Sequence, residues 1–254
     1  MNYFLFPFRL LWRIWFYTAI LILILLFSPL LFVLTLKEKY YPNLWILIRF
    51  LSRVLIYAMG FRLKVSKDES IKPNKSYMFC ANHGSFLDPF VLAALSKNPI
   101  VFVGKKELVK FPIFGFFYKR VVIMVDRSNP KSRKRVFEMA KKRLRNGLSM
   151  AIFPEGLVPE ENVVLAPFKK GAFSLAIEFE MPIVPQVYYD CKRFFSWNVF
   201  KGRPGVLRIH QHKFLETKNL KSTDLEMLKN QTFRILHNSL IQDKNYMIDT
   251  NRYK

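Results

Sequence analysis

From Ile14 to Leu36 the chain carries no charged residue, and Arg13 and Lys37 close the run at its two ends. Roughly 23 apolar and small positions suffice to cross the hydrocarbon core of a bilayer as one helix. The run is long for a secretory signal and no small-x-small cleavage site follows it, so a segment that stays on the chain is expected. Pro29 inside it would delete a helix hydrogen bond and bend the rod. A second apolar stretch, Asn43 to Phe61, carries Arg49 and Arg53 one helical turn apart, with Leu44, Ile46, Ile48, Leu51, Leu55 and Ile56 on its other faces. That pattern predicts a helix lying in the headgroup layer. Trp12, Trp15, Tyr17, Tyr40, Tyr41 and Trp45 fall near the ends of these stretches, where amphipathic rings are favoured. The expectation is an N-terminal two-helix membrane anchor over residues 1–61; the plainer reading is a pair of buried core helices.

Beyond Phe61 the pattern changes to short apolar runs separated by helical stretches, which predicts an α/β domain over residues 62–254. Strands are expected at Tyr77 to Ala81, Ile100 to Val103, Val121 to Val125, Ser149 to Phe153 and Ile183 to Tyr188. A helix is expected over Lys131 to Arg145, with Val136, Phe137, Ala140 and Leu144 at helical spacing and Asn146-Gly147 as its stop. Its other face is densely cationic, which is either a solvated face or a contact for anionic lipid or an acidic carrier protein.

Composition sharpens this picture. A formal net charge of +23 accompanies 51% hydrophobic residues and 26 Phe, unlike a disordered basic tail. Such a chain suits an anionic surface with an apolar layer behind it; phospholipid offers both, whereas nucleic acid offers only the charge. No nucleic-acid partner is expected. Cys80 and Cys191 lie far apart in apolar surroundings, which predicts free thiols in a reducing compartment.

The candidate chemistry sits in "CANHGSFLDPF", Cys80 to Phe90. If a strand ends near Ala81, His83 lies on the loop leaving the sheet, where open α/β sheets place their chemistry. Asp88 before Pro89 is a natural N-cap with proline at the first helical position. Residues five apart diverge by roughly 140° on a continuous helix, so the two meet only through a tight loop, which Gly84 and Ser85 can form. In contact, Asp88 would orient the imidazole while its other nitrogen takes a proton from a hydroxyl. The plainer reading has Asp88 capping its helix and His83 filling a loop. A Cys80–His83 nucleophilic pair is a third reading, disfavoured by the apolar run around Cys80.

"NHGSFLD" resembles the first signature of the glycerolipid acyltransferases, the family that includes 1-acylglycerol-3-phosphate acyltransferase. "VVIMVDR" (Val121 to Arg127) resembles the second, "FPEG" (Phe153 to Gly156) the third and "MPIVPQ" (Met181 to Gln186) the fourth, in family order. The resemblance implies a single acyltransferase domain with a central mixed sheet flanked by helices. It also implies transfer of a fatty acyl group from an acyl-CoA or acyl-carrier-protein thioester to the free sn-2 hydroxyl of lysophosphatidate, giving phosphatidic acid. No other cofactor is implied. His83 and Asp88 take the charge-relay positions. Asn82, Ser85, Lys105, Arg127, Glu155 and Gly156 are the implied substrate-binding residues. Backbone amides are expected to face the thioester oxyanion.

One departure bears on the acceptor. The third signature commonly continues with threonine and arginine, where this chain has Leu157 and Val158. A missing charge-assisted bond is worth about 1.5–3 kcal/mol, so another lysolipid, such as a lyso-ornithine lipid or lysophosphatidylethanolamine, competes with lysophosphatidate as the expected acceptor. Arg127, Lys105, Lys169 and Lys170 still supply cationic charge. A non-enzymatic, membrane-tethered basic module explains the charge but not four ordered signatures. No metal is expected: His210 and His212 would share one face of a strand, with no third ligand nearby in sequence. Because thioester donors are made in the cytoplasm, the catalytic domain is expected on the cytoplasmic face of the inner membrane, among its phospholipids.

Overall fold

In the computed structural model, residues 6–125, 130–144, 147–198 and 201–246 are described. Seven strands form one sheet: β1 (Phe61–Lys67), β2 (Met78–Ala81), β3 (Ile100–Lys105), β4 (Val122–Val125), β5 (Ser149–Ile152), β6 (Ile183–Tyr188) and β7 (Gly205–Gln211). The helices are α1 (Phe6–Thr35), α2 (Tyr41–Ala58), α3 (Asp88–Leu95), α4 (Phe114–Val121), α5 (Pro130–Leu144), α6 (Gly171–Glu178), α7 (Cys191–Phe194) and α8 (Leu225–Gln242). Strand order is β1-β7-β6-β2-β5-β3-β4. Strands β2 to β6 run parallel, β7 is antiparallel to β6, and β1 runs parallel to β7 at the edge, so the sheet is mixed.

The expected strands all form, with ends shifted by a residue or two. Strands β2 and β6 are buried at every position, as strands covered on both faces must be. Alternation along β2 divides the core: Met78 and Cys80 join α5, α6 and α8 on one face, while Phe79 and Ala81 join α2 and α3 on the other. Strand β1 alternates buried and exposed positions, and its Arg62, Lys64 and Lys67 are the charged side chains that guard an exposed sheet edge. Helix α5 buries Val136 and Ala140 as its spacing predicts, and its Lys142 reaches Glu38 at 3.2 Å.

The anchor is where structure and expectation part. Helix α1 runs unbroken through Pro29, and among the described residues it is the one helix long and apolar enough to cross a membrane. Helix α2 instead belongs to the domain. Leu44, Trp45, Leu55 and Ile56 are buried in the same clusters as the sheet. Trp45 Nε1 donates to the Ser96 carbonyl (3.1 Å) and Arg53 Nε to that of Ala94 (3.0 Å), fastening α2 to the end of α3. Ile46, Phe50 and Tyr57 remain on its exposed side. The tryptophans expected among headgroups are also taken by the protein: Trp12 donates to the Met59 carbonyl (3.2 Å) and Trp15 to that of Ala58 (3.0 Å), at the C-terminal end of α2. Arg13, expected to bracket the apolar run, is buried, stacked over Phe195 at 4.0 Å and donating to the Asn198 and Lys201 carbonyls.

Membership of α2 in the core has a measurable consequence. Ile56→Ala should lower the unfolding free energy in denaturant by about 2–5 kcal/mol. Ile46→Ser, on the exposed side, should leave it within about 0.5 kcal/mol. Equal effects would contradict the assignment of the two faces.

Candidate active site

All five parallel strands present their C-terminal ends at one edge of the sheet. Asn82 and His83 follow β2, Lys105 ends β3, Phe153 to Gly156 follow β5, and β4 leads toward Arg127. Arg127 lies outside the described residues. The side chain of Lys105 is exposed at its strand end.

At the centre, His83 Nδ1 lies 2.8 Å from Asp88 Oδ2, so the tight loop required for contact is present. The same carboxylate oxygen accepts the backbone N–H groups of Gly84 and Ser85, each at 2.8 Å, and the side chain is fully buried. Helix α3 starts at Asp88 itself, with Leu87 before it and no side-chain cap. The expected capping role is thereby corrected: the carboxylate turns back to the loop instead of forward to the helix amides. The His83 side chain is 20% exposed, its ring stacks on Phe153 at 4.3 Å and 16°, and its Nε2 has no hydrogen-bond partner among the described residues. With Nδ1–H donated to Asp88, Nε2 carries the lone pair, as a base requires.

Several implied binding residues prove to be committed to the fold. Asn82 Nδ2 donates to the Tyr188 carbonyl (3.1 Å) and its Oδ1 accepts the Tyr188 amide (2.8 Å), sewing the end of β2 to the end of β6. Ser85 is fully buried; its hydroxyl donates to the Phe195 carbonyl (2.6 Å) and accepts the Leu87 amide (3.0 Å). Glu155 is 1% exposed, with Oε1 accepting the His83 amide (2.7 Å) and Oε2 that of Ala166 (2.8 Å). It therefore ties the loop after β5 to the histidine loop, where substrate contact had been expected. The amides of His83, Gly84 and Ser85 all serve carboxylates, so these three are not available to an oxyanion.

Two glycines hold the edge together. Gly156 has φ +72°, and a Cβ there would meet Lys169 Cε at 3.0 Å, so the Lys169 side chain lies across it. At Gly84 a Cβ would come within 2.8 Å of Lys192 Cβ. Lys192 was not singled out in the sequence; its Nζ donates to the Glu160 (2.9 Å) and Val163 (2.7 Å) carbonyls, fixing the loop that carries them. Burial lowers its pKa to about 8, against the raising effect of Glu155 and Glu161. Lys170 is drawn off to Glu226 at 3.0 Å. Both cysteines are free and buried, and burial pushes the Cys80 thiol up, away from a reactive thiolate.

Burial pushes the Glu155 carboxyl up to about 7, while the amides of His83 and Ala166 pull it down. An acid whose folded pKa is raised binds a proton that the unfolded chain has released, so its share of stability falls as pH rises from its ordinary value through about 7. The difference in stability between wild type and Glu155→Gln should therefore slope across pH 5 to about 7 with the wild type losing ground. A flat difference would contradict the burial effect. Gly156→Ala should cost about 1–2 kcal/mol for its left-handed backbone, read from thermal unfolding.

The family described as Acyltransferase matches residues 62–189. The 1-acyl-sn-glycerol-3-phosphate acyltransferase of Cocos nucifera is 29% identical over 167 residues, 65% of this chain and 53% of that protein. The beta form of that enzyme from Homo sapiens is 26% identical over 73% of this chain and 67% of its own, and the Saccharomyces cerevisiae enzyme 31% identical over 73% and 62%. The chain spans about half to two thirds of the length of these relatives. The crystal structure of the 1-acyl-sn-glycerophosphate (LPA) acyltransferase PlsC from Thermotoga maritima superposes with a TM-score of 0.76 at 19% identity, covering 94% of this chain and 96% of that one, which shows a shared fold. With the family matching half of its length, across the histidine loop and the sheet edge, this chain belongs to the acyltransferase family.

Proposed function

We propose that this protein transfers a fatty acyl group from an acyl-CoA or acyl-carrier-protein thioester to the sn-2 hydroxyl of lysophosphatidate at a membrane surface. The observation that carries the proposal is His83, clamped through Nδ1 to the buried Asp88, with Nε2 free on a partly exposed ring. Nε2 takes the hydroxyl proton as the oxygen bonds to the thioester carbon. The tetrahedral intermediate then collapses, the carbon–sulfur bond breaks, and the departing thiolate takes the proton back from the imidazolium. No protein nucleophile is needed. Lys105, together with Arg127, is assigned to the phosphate of the acceptor. The relatives named above as 1-acyl-sn-glycerol-3-phosphate acyltransferases support this choice of acceptor.

The seating of α1 supports membrane attachment. Phe16 is buried against Phe195 near one end, and Leu31 is buried and Phe32 stacks on Phe116 near the other. The helix thus lies along the domain, while Leu11, Ile14, Leu25, Leu26 and Val33 face outward. A helix so fastened supports insertion into one leaflet over a transmembrane crossing, with the net charge of +23 drawing the protein to anionic lipid. We place it on the cytoplasmic side of the inner membrane, where thioester donors are made.

His83→Ala should lower the rate of phosphatidate formation by about 10²–10⁴. Lys105→Ala should raise KM for lysophosphatidate by roughly tenfold or more with a smaller change in kcat. Both are read by mass spectrometry of products from vesicles holding a panel of lysolipids with acyl-CoA or acyl carrier protein. If lysophosphatidate is untouched while another lysolipid is acylated, the proposed acceptor is wrong. Leu157, exposed, and Val158, half-buried, stand where threonine and arginine are common and give that outcome a structural basis. No acyl transfer to any acceptor would leave a binding module instead.

A further inference from the structure

At the opposite side of the sheet from β4, three side chains distant in sequence converge. Asp68 follows β1, His210 lies in β7 and His212 follows it. One potential ligand atom from each lies within 4.8 Å of the others. The sequence offers His210 and His212 on one face of a strand; pairing of β1 with β7 brings the third group.

The hydrogen bonds around them decide what the cluster is for. The Ser239 hydroxyl lies 3.0 Å from the Ile235 carbonyl one turn earlier in α8 and 2.9 Å from His212 Nε2; when it donates to the carbonyl, its oxygen accepts from His212 Nε2–H. The Ser66 hydroxyl lies 3.4 Å from the Ile209 carbonyl and 2.7 Å from His210 Nδ1; when it donates to the carbonyl, its oxygen accepts from His210 Nδ1–H. In neutral imidazoles these assignments leave lone pairs on His210 Nε2 and His212 Nδ1. Both atoms face the Asp68 carboxylate, at 3.2 and 3.7 Å. In that tautomeric state three acceptors meet and a shared cation would hold them; in the other state His210 Nε2–H donates to an Asp68 oxygen (3.2 Å), so a bound ion would select the first.

Metal-ligating histidines characteristically donate their remote ring N–H to a polar partner, which fixes the ring and its tautomer. Both histidines have such a partner here, Ser66 and Ser239. Zinc–nitrogen and zinc–oxygen bonds near 2.0–2.2 Å in a tetrahedron put donor atoms about 3.4 Å apart, between the two spacings observed. The backbone is pre-set as well: the Asp68 amide donates to the Gln211 carbonyl (2.9 Å) and the His212 amide to that of Pro185 (3.0 Å). The three side chains are 18–38% exposed, so an ion and a coordinating water can reach them.

We propose that Asp68, His210 and His212 form a binding site for a divalent transition-metal ion of the zinc class, with a fourth position open to water. The ion would tie the edge strand β1 to β7 and, through Ser239, to α8. None of the site's three residues is hydrogen-bonded to the His83 loop among the described residues.

The test uses untagged, chelator-treated, detergent-solubilised protein. Competition with a chromophoric chelator should show one Zn2+ bound per chain, and Zn2+ should raise the thermal unfolding midpoint. His212→Ala and Asp68→Asn should each weaken binding by about tenfold or more, and Ser239→Ala should weaken it less. Co2+ in place of Zn2+ should give visible d–d bands without a thiolate charge-transfer band, since Cys80 and Cys191 are buried elsewhere. A wild type that fails to bind Zn2+ overturns the proposal, as does equal affinity in His212→Ala or a thiolate band with Co2+. The wild-type binding and spectrum decide the matter even if a variant does not fold.

Discussion

One carboxylate oxygen organises the active edge of this protein. Asp88 Oδ2 accepts three donors, the imidazole Nδ1–H and two successive backbone amides, each at 2.8 Å, in a place closed to water. Charge-assisted bonds of this kind are worth about 1.5–3 kcal/mol each, and an unpaired carboxylate at the same depth would be costly. The loop must therefore close around Asp88. In closing it aims His83 Nε2 outward and fixes its tautomer with one set of bonds. For the acyl transfer proposed above, a base built in this way needs little reorganisation when substrate arrives.

The surrounding structure serves that oxygen. Asn82 holds the end of β2 against β6, Ser85 fastens the loop to Phe195, and Glu155 joins the loop after β5 to the amide of His83. Glu155 of the third-signature stretch is thus bonded to the first-signature loop. The Glu155 carboxylate is costly to bury and is retained where two amides compensate, which makes it a positioning residue. Exposed cations, with Lys105 at the end of β3, are left as the groups a phosphate can meet along this edge.

How far the sequence discloses this depends on the range of each interaction. The His83–Asp88 contact is legible because five residues, two of them Gly84 and Ser85, can only meet through a tight turn. The buried parallel strands are legible because both faces are apolar. By contrast, Asn82, Ser85 and Glu155 look like binding groups in the sequence, and their partners at Tyr188, Phe195 and Ala166 lie 11–110 residues away. Helix α2 shows the same limit: an apolar face suits a lipid and a neighbouring helix equally, and only the tertiary contacts of Trp45 and Arg53 separate them. Asp68 was invisible beside His210 because their meeting depends on the pairing of β1 with β7.

The central claim is that His83 and Asp88 work as one unit in acyl transfer. A double-mutant cycle on phosphatidate formation, comparing His83→Ala, Asp88→Asn and the double variant by kcat/KM, tests it most directly, since residues acting together are strongly non-additive. The account predicts that Asp88→Asn costs little further once His83 is gone. Losses that multiply in the double variant would show two independent contributions and contradict it.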